Sequence, residues 1–291
     1  MNRLNMSRVA YVNGRYLPQR AAVVNIEDRA VQFADSIYEV VHFYNARFID
    51  EQGHLGRLER SLREISLTCP ISPQGLRQVL REVAARNRLT HGLLYIQISR
   101  GVARRDHAFP TQPTRPTLVV SAKRLPAYPA TPDAWAVRAI TYPDHRWGRC
   151  DIKATGLLPN VLARQAARTQ GAAEAILIDR DEMVTEGAAT TVWMVDQSGA
   201  LRTRPLDHAI LPGCTREALA ALLRDAGIDF EERAFSKAEL YSASEIFLTG
   251  ATSFVKPVVQ LDNFPVGEGI TGPVTRHLFE LFARHVGTQP G

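Results

Sequence analysis

A stretch holding three prolines and two alanines, Leu125 to Asp133, divides the 291-residue chain into two parts that each carry their own strands and helices. Proline lacks an amide hydrogen and biases the residue before it away from helix, so three of them this close together end any regular element. Little else in the stretch can be core, and it reads as an interdomain linker. The expected organisation is a small N-terminal α/β domain over residues 1–124, the linker over 125–133 and a larger domain over 134–291.

Hydrophobic spacing supplies the elements. Val9 to Leu17 alternates around Asn13-Gly14, the pair that two-residue hairpin turns favour. Ser36 to Asn45 is a β-prone run, and Arg47 to Asp50 can pair back on it. Leu55, Leu58, Leu62 and Ile65 recur at helical spacing, as do Leu76, Val79, Leu80 and Val83 behind the start signal Ser72-Pro73. Strands are expected at Leu93 to Ser99 and Thr117 to Ala122. Beyond the linker come a strand at Trp135 to Thr141, a helix at Val161 to Thr169, and strands at Ala175 to Asp179 and Thr191 to Val195. A helix at Arg216 to Ala226, strands at Glu245 to Thr249 and Val255 to Leu261, and a last helix near Val274 to Val286 follow.

A chain that is 45% hydrophobic can bury a large core without disulfide staples. Cys69, Cys150 and Cys214 are odd in number and widely spaced, which suits a reducing cytoplasm and no structural metal. No apolar run reaches the length of a membrane span. The net charge of +5 is spread along the chain with no nucleic-acid-binding motif, so a nucleic-acid partner is not expected. Only four of the 35 basic residues are lysine: Lys123, Lys153, Lys237 and Lys256. Arginine keeps its charge, so chemistry that needs a deprotonated amine has just these candidates.

Lys153 stands behind Arg149-Cys150-Asp151-Ile152 and before the small residues Ala154, Thr155 and Gly156, a context that suits a partly desolvated amine and equally a surface lysine. Glu186 lies in Val184-Thr185-Glu186-Gly187, read as a polar turn entering an apolar strand. A carboxylate there can hold a protonated ring nitrogen or simply face water. Gly213-Cys214-Thr215-Arg216 opens a helix, an anion site or an ordinary cap, with the Thr215 hydroxyl facing outward. Arg105 and His107 share a loop and can jointly grip a carboxylate, or merely be solvated. Gly267-Glu268-Gly269-Ile270-Thr271-Gly272 spells a dinucleotide fingerprint, but no βαβ unit can follow it, so it is read as a loop.

Taken in order, these residues resemble the class IV aminotransferases of fold type IV, and within them the D-amino-acid aminotransferases. The pieces are Phe33-Ala34-Asp35-Ser36-Ile37-Tyr38-Glu39, His54-Leu55-Gly56-Arg57-Leu58, Arg149 to Lys153, Asn160-Val161-Leu162-Ala163, Val184 to Gly187 and Gly213 to Arg216. The resemblance implies an α/β (α+β) fold with a small N-terminal α/β domain, a larger C-terminal pseudo-barrel, and pyridoxal 5'-phosphate bound between them. It implies that Lys153 carries this cofactor as a Schiff base, that Glu186 pairs with its pyridine nitrogen, and that Arg57 and Thr215 hold its phosphate. Arg146 matches a basic position beside the cofactor, and Ala251 and Thr252 fall in the phosphate-binding turn. Tyr38, Arg105 and His107 match a carboxylate-binding set in which the arginine and histidine come from the partner subunit of a homodimer. Two departures stand out: Ala188-Ala189-Thr190-Thr191 replaces a serine-rich stretch, and Ala251 stands where a hydroxyl is common.

The expected reaction moves an amino group from a D-amino acid to a 2-oxo acid such as 2-oxoglutarate or pyruvate, both small molecules. Branched-chain L-aminotransferases, R-selective amine transaminases and 4-amino-4-deoxychorismate lyases share the fold and are the alternatives. A non-catalytic ligand-binding protein is a remoter one, against which Lys153 and Glu186 together speak. The purified protein should be yellow, and borohydride should fix the cofactor to Lys153, as peptide mapping would locate. Lys153→Ala should bind the cofactor loosely and lose transamination; a colourless protein unlabelled at Lys153 would refute the reading.

Overall fold

The turn Asn13-Gly14 sets the first hairpin: both residues have positive φ, 47° and 94°, as a tight reversal between twisted strands requires. It joins β1 (Val9–Val12) to β2 (Arg15–Pro18) in a computed structural model that describes residues 8–288. By contacts the chain falls into two compact units, one comprising residues up to Ala127 with Ile152–Gly156, the other Tyr128–Asp151 with Leu157–Thr288.

In the first unit, α1 (Arg29–Phe33) is capped by the Asp28 side chain and ends at Ala34, whose left-handed φ of 54° turns the chain into β3 (Ser36–Tyr44). The strand β4 (Arg47–Phe48) pairs back on β3 over two residues, shorter than the expected run to Asp50. Then come α2 (Glu51–Glu64), α3 (Pro73–Arg86), β5 (His91–Ser99) and β6 (Thr117–Arg124). The sheet is antiparallel in the order β2-β1-β6-β5-β3-β4. Ser72 caps α3, accepting from Gly75 N at 3.1 Å, as Ser-Pro at a helix start predicts. The amphipathic stripes of both helices close one core: Leu58, Leu62, Leu76, Leu80 and Val83 pack with Ile37, Val41, Leu94, Ile96 and Ile98.

The second unit begins with a surprise. Tyr128, inside the expected linker, stacks 4.8 Å from Phe279 and meets Trp135 and Phe254, so the proline-rich segment delivers a core residue. Trp135 ends a single 3-10 turn rather than opening a strand; β7 runs Val137–Pro143. The elements continue as α4 (Leu158–Thr169), β8 (Glu174–Ile178), β9 (Val184–Gly187), β10 (Thr191–Val195) and β11 (Leu201–Thr203). They end with α5 (Cys214–Asp225), β12 (Glu231–Glu232), α6 (Lys237–Tyr241), β13 (Glu245–Gly250), β14 (Phe254–Leu261), β15 (Phe264–Pro265) and α7 (Pro273–Thr288).

The sheet order is β12-β11-β10-β13-β14-β7-β8-β9, with β15 on β14. In that order β9 and β10 lie far apart, yet a short turn joins them and Gly187 N donates to Thr190 O at 2.7 Å. The sheet must therefore curl until its far edge returns to β10, the half-barrel expected of this part of the chain.

The Gly267–Gly272 segment is a loop, as expected. It precedes α7, but the helix start is already filled by a protein carboxylate: Glu245 accepts from Val274 N at 2.9 Å and Thr275 N at 2.7 Å. A Cβ on Gly272 would stand 2.2 Å from the Glu245 carboxyl carbon, so glycine is required for this seat. Glu245→Ala is expected to cost about 1–2 kcal/mol of stability in urea unfolding, the range for a lost helix cap. An unchanged midpoint would show the cap to be idle.

Candidate active site

In the first unit, Lys153 belongs to a short extended piece that adds to the free side of β3. Its carbonyl accepts from Tyr38 N at 3.0 Å and its amide donates to Ser61 Oγ at 3.3 Å. Ala154 bridges Ile37, and the Thr155 and Ser36 hydroxyls lie 2.5 Å apart. The backbone on both sides of Lys153 is thus clamped, while its Nζ stands 4.3 Å over the Tyr38 ring. The Tyr38 ring in turn stacks on Tyr95, whose hydroxyl donates to Gln97 Oε1 at 2.9 Å. Burial, reinforced by Tyr38, pushes the Tyr95 phenol up to about 12, so it stays neutral beside these groups.

Arg57 is fixed by Glu39, donating Nε to Oε2 at 2.9 Å and Nη2 to Oε1 at 2.7 Å. His54 Nδ1 lies 3.0 Å from the same Oε1, and Val40 N donates to it at 2.9 Å. Glu39 is fully buried, which by itself would favour its neutral form, but Arg57 and His54 outweigh burial and hold the carboxyl far below the usual range. Sequence reading picked out Arg57 and gave Glu39 and His54 no role. The alternation of β3 places Glu39 on the opposite face from Tyr38, a signal that was available.

Arg105 and His107 are both exposed, and they share one neighbour: the Phe33 ring lies 5.0 Å from the Arg105 guanidinium and 5.3 Å from the His107 ring. Tyr38 instead belongs with Lys153 and Tyr95. Within one chain the three residues of the expected carboxylate set therefore fall into two groups.

In the second unit, Glu186 does not sit in a polar turn. It lies on β9, all four residues of which are buried, so the solvated reading is overturned. Its carboxylate is bound by Arg146 Nη1 through Oε1 and accepts from Leu211 N at 3.2 Å through Oε2. Arg146 is itself gripped by Asp144, with Nε to Oδ1 at 2.9 Å and Nη2 to Oδ2 at 2.7 Å, and it reaches Ala209 O at 2.9 Å. Thr185 adds its hydroxyl to Asp144 at 2.7 Å. Burial works against charge on Asp144 and on Arg146, yet their mutual bonding lowers the acid and raises the base. The spacing Asp144-x-Arg146 carried this pair in the sequence without announcing it. Asp144, Arg146, Cys150, Thr185 and His208 also line an open cavity of about 680 Å³.

Thr215 is only 3% exposed, so its hydroxyl does not face solvent as expected, and the helix N-cap is Gly213 with no side-chain cap. A Cβ at Gly213 would stand 2.8 Å from Thr191 Oγ1, so the close approach of this turn to β10 depends on glycine. Thr191 pairs in register with Thr249, which sets the turn carrying Ala251 and Thr252 beside the start of β10. Asn160 Nδ2 donates to Ala188 O at 2.8 Å and Thr190 Oγ1 to Glu174 Oε2 at 3.0 Å, pinning the turn that replaces the serine-rich stretch. These two contacts had no signal that periodicity could reveal.

Comparisons with known proteins now give the class. The family described as amino-transferase class IV matches residues 36–261. The chain is 38% identical over 276 residues to a D-alanine aminotransferase of Staphylococcus haemolyticus, covering 95% of this chain and 97% of that protein. It is also 38% identical over 267 residues to one of Bacillus licheniformis, covering 91% and 93%. Among solved structures, the Escherichia coli branched-chain amino acid aminotransferase superposes with TM-score 0.87 at 25% identity, covering 98% of this chain and 96% of that one. The chain belongs to the class IV aminotransferases, which are pyridoxal-phosphate enzymes.

The donor groups suit that cofactor. It calls for an amine, an anion for the pyridinium and cationic or amide donors for a phosphate monoester. The first unit has the Lys153 amine and the Arg57 guanidinium. The second has the buried Glu186 carboxylate and a helix start whose first amides no side chain caps. Among the described residues no cluster of metal-ligating side chains occurs.

The buried carboxylates predict a pH effect. Glu39, Asp35 and Asp144 are all held below their ordinary values in the folded state. Each therefore adds stability that is complete above the ordinary carboxylate range and lost as pH falls through and below about 4. Glu39→Gln should lose about 3–5 kcal/mol at pH 7, because Arg57 is left buried without its partner. It should also flatten the decline of stability below about pH 4.5. Urea unfolding of both proteins at several pH values checks this, and parallel curves would count against it.

Proposed function

We propose that this enzyme transfers the amino group of a D-amino acid resembling D-alanine to a 2-oxo acid, 2-oxoglutarate or pyruvate, as a cytoplasmic homodimer. The observation that carries the substrate reading is the pair Arg105 and His107, both exposed and both in contact with Phe33, which can together offer N–H groups to the two oxygens of a carboxylate. The D-alanine aminotransferases that match nearly the whole chain support it. The dimer is supported by apolar surface around the same loop: Ile26, Val31, Val102 and Phe109 are 83%, 60%, 43% and 55% exposed. Three free thiols, two of them buried, suit a reducing compartment.

Bound pyridoxal phosphate supplies an electron sink that makes the substrate's Cα proton removable. Lys153 provides the amine that holds the cofactor covalently and, once freed, takes the proton from the substrate Cα. Its clamped backbone leaves only the side chain to move, over the face of Tyr38. Glu186, hydrogen-bonded by Arg146 and the Leu211 amide, would hold a proton on the pyridine nitrogen. Arg57, oriented by Glu39, binds the phosphate with Thr215 and the amides at the start of α5, and the Ala251-Thr252 turn adds backbone donors. Arg105 and His107, from the partner copy, hold the substrate carboxylate and so decide which substituent of Cα faces the amine.

The test is Arg105→Ala assayed on D-alanine, L-leucine and a simple chiral amine. A charge-assisted bond is worth about 1.5–3 kcal/mol, so the specificity constant for D-alanine should fall about 10- to 100-fold. The amine should lose little. Wild-type preference for L-leucine, or equal losses on all three substrates, would move the enzyme to another branch of the family.

A further inference from the structure

The loop at residues 102–109 contains no helix or strand, yet it is anchored at two points, its backbone carbonyls by Arg29 and its Phe109 ring by Arg100. Arg29 donates Nη1 to Asp106 O at 2.6 Å and Nη2 to His107 O at 3.3 Å. Arg100 lies 3.7 Å over the Phe109 ring and donates to Ile65 O at 2.7 Å and Ser66 O at 3.3 Å. One carboxylate balances both: Asp35 accepts Arg29 Nε at 2.7 Å, Arg100 Nε at 2.8 Å and Arg100 Nη2 at 3.0 Å.

The side chains are held differently. Among the described residues, neither the Arg105 guanidinium nor the His107 imidazole makes a hydrogen bond or ion pair to the protein. What both touch is Phe33, whose ring also lies 4.8 Å from the Arg29 guanidinium. An aromatic ring attracts a cation over its face and packs against an imidazole, here tilted at 49° to it, so it narrows the rotamers of both groups without consuming a donor. Every N–H needed for a carboxylate stays available.

We propose that Phe33 is a positioning residue for substrate specificity: its ring seats Arg105 and His107 in the geometry that receives the α-carboxylate, on a loop whose backbone Asp35 sets through Arg29. This rests on the reading of Arg105 and His107 as the carboxylate grip. Phe33 touches neither cofactor nor substrate in this account. Its loss should act on carboxylate recognition alone.

The experiment uses the holoenzyme. Phe33→Leu keeps apolar bulk and leaves the buried Asp35 cluster intact, while Phe33→Tyr keeps the ring. For Phe33→Leu, KM for D-alanine should rise about three- to tenfold, the scale of one cation–π contact, with kcat almost unchanged. Turnover of a chiral amine without a carboxylate should be unaffected, as should pyridoxal phosphate affinity, read from fluorescence quenching of the apoprotein. Phe33→Tyr should restore KM. In the Arg105→Ala, His107→Ala background, Phe33→Leu should add nothing further, since its effect passes through those side chains.

Fully additive loss in that background would overturn the proposal. So would a parallel fall of kcat, cofactor affinity and amine turnover, which would make Phe33 a core support. Arg105→Ala separates the two levels. If it hurts D-alanine selectively while Phe33→Leu leaves KM unchanged, the seat is wrong and the carboxylate grip stands. If Arg105→Ala harms all substrates alike, the grip itself fails, and the seat with it.

Discussion

The site depends on one recurrent interaction, a carboxylate taken out of water and kept ionised by arginine. Glu39 has Arg57, Asp35 has Arg29 and Arg100, and Arg146 has Asp144 and Glu186. Burial alone would favour the neutral forms of Glu39, Asp35 and Asp144, and their arginine partners reverse that. Guanidinium presents two parallel N–H groups to two carboxylate oxygens, so each pair fixes an orientation as well as a charge. Lysine, a point charge on a flexible stem, would supply the charge without fixing the orientation. The excess of arginine over lysine therefore has a structural use here, whatever its origin, and it leaves Lys153 one of only four side-chain amines.

The same logic separates two helix starts that look alike in sequence. Both follow glycine-bearing loops. At α7 the first amides are consumed by Glu245, which Gly272 admits, and the glycine-rich stretch before it is architecture. At α5 the N-cap is Gly213, no side chain caps the first turn, and the close glycine contact is with Thr191. Letter patterns cannot tell these apart, because the residue that decides the matter at α7 is distant in the chain.

That distance explains which features were legible. The hairpin at Asn13-Gly14, the long strand β3, the stripes of α2 and α3, and β10, α5, β13 and β14 all follow from local periodicity and turn chemistry, so they were read to within a few residues. The short strands β11, β12 and β15 were not, since two or three residues carry no period. The helix α6 escaped although Ser236 and Glu239 form a capping box, a signal present but weak over five residues. Glu186 was placed in a turn because Thr-Glu-Gly is polar, but tertiary pairing with Arg146 overrode composition. Tyr128 was lost among prolines. Of the candidate site, Tyr38, Arg57, Lys153, Glu186 and Thr215 came from the motifs and Arg105, His107, Arg146, Ala251 and Thr252 from single matched positions, whereas the holding roles of Glu39, His54, Asp144 and Ser61 emerged from packing.

The division between strands and loop has a consequence for how activity varies in this family. Lys153 and the acids Glu39 and Glu186 stand on or beside β3 and β9, where a shift of one residue would turn every side chain to the other face. Such positions tolerate little change, and the fold superposes on a branched-chain enzyme at only 25% identity. Arg105 and His107 stand on an irregular loop whose Asp106 and His107 carbonyls are held by Arg29, and both side chains rest against the Phe33 ring. A loop held through its carbonyls can exchange side chains such as Arg105 and His107 without disturbing those anchors, because neither the Asp106 nor the His107 carbonyl depends on side-chain identity. Side-chain changes can therefore accumulate there at small cost to stability, while the paired groups on the strands are kept.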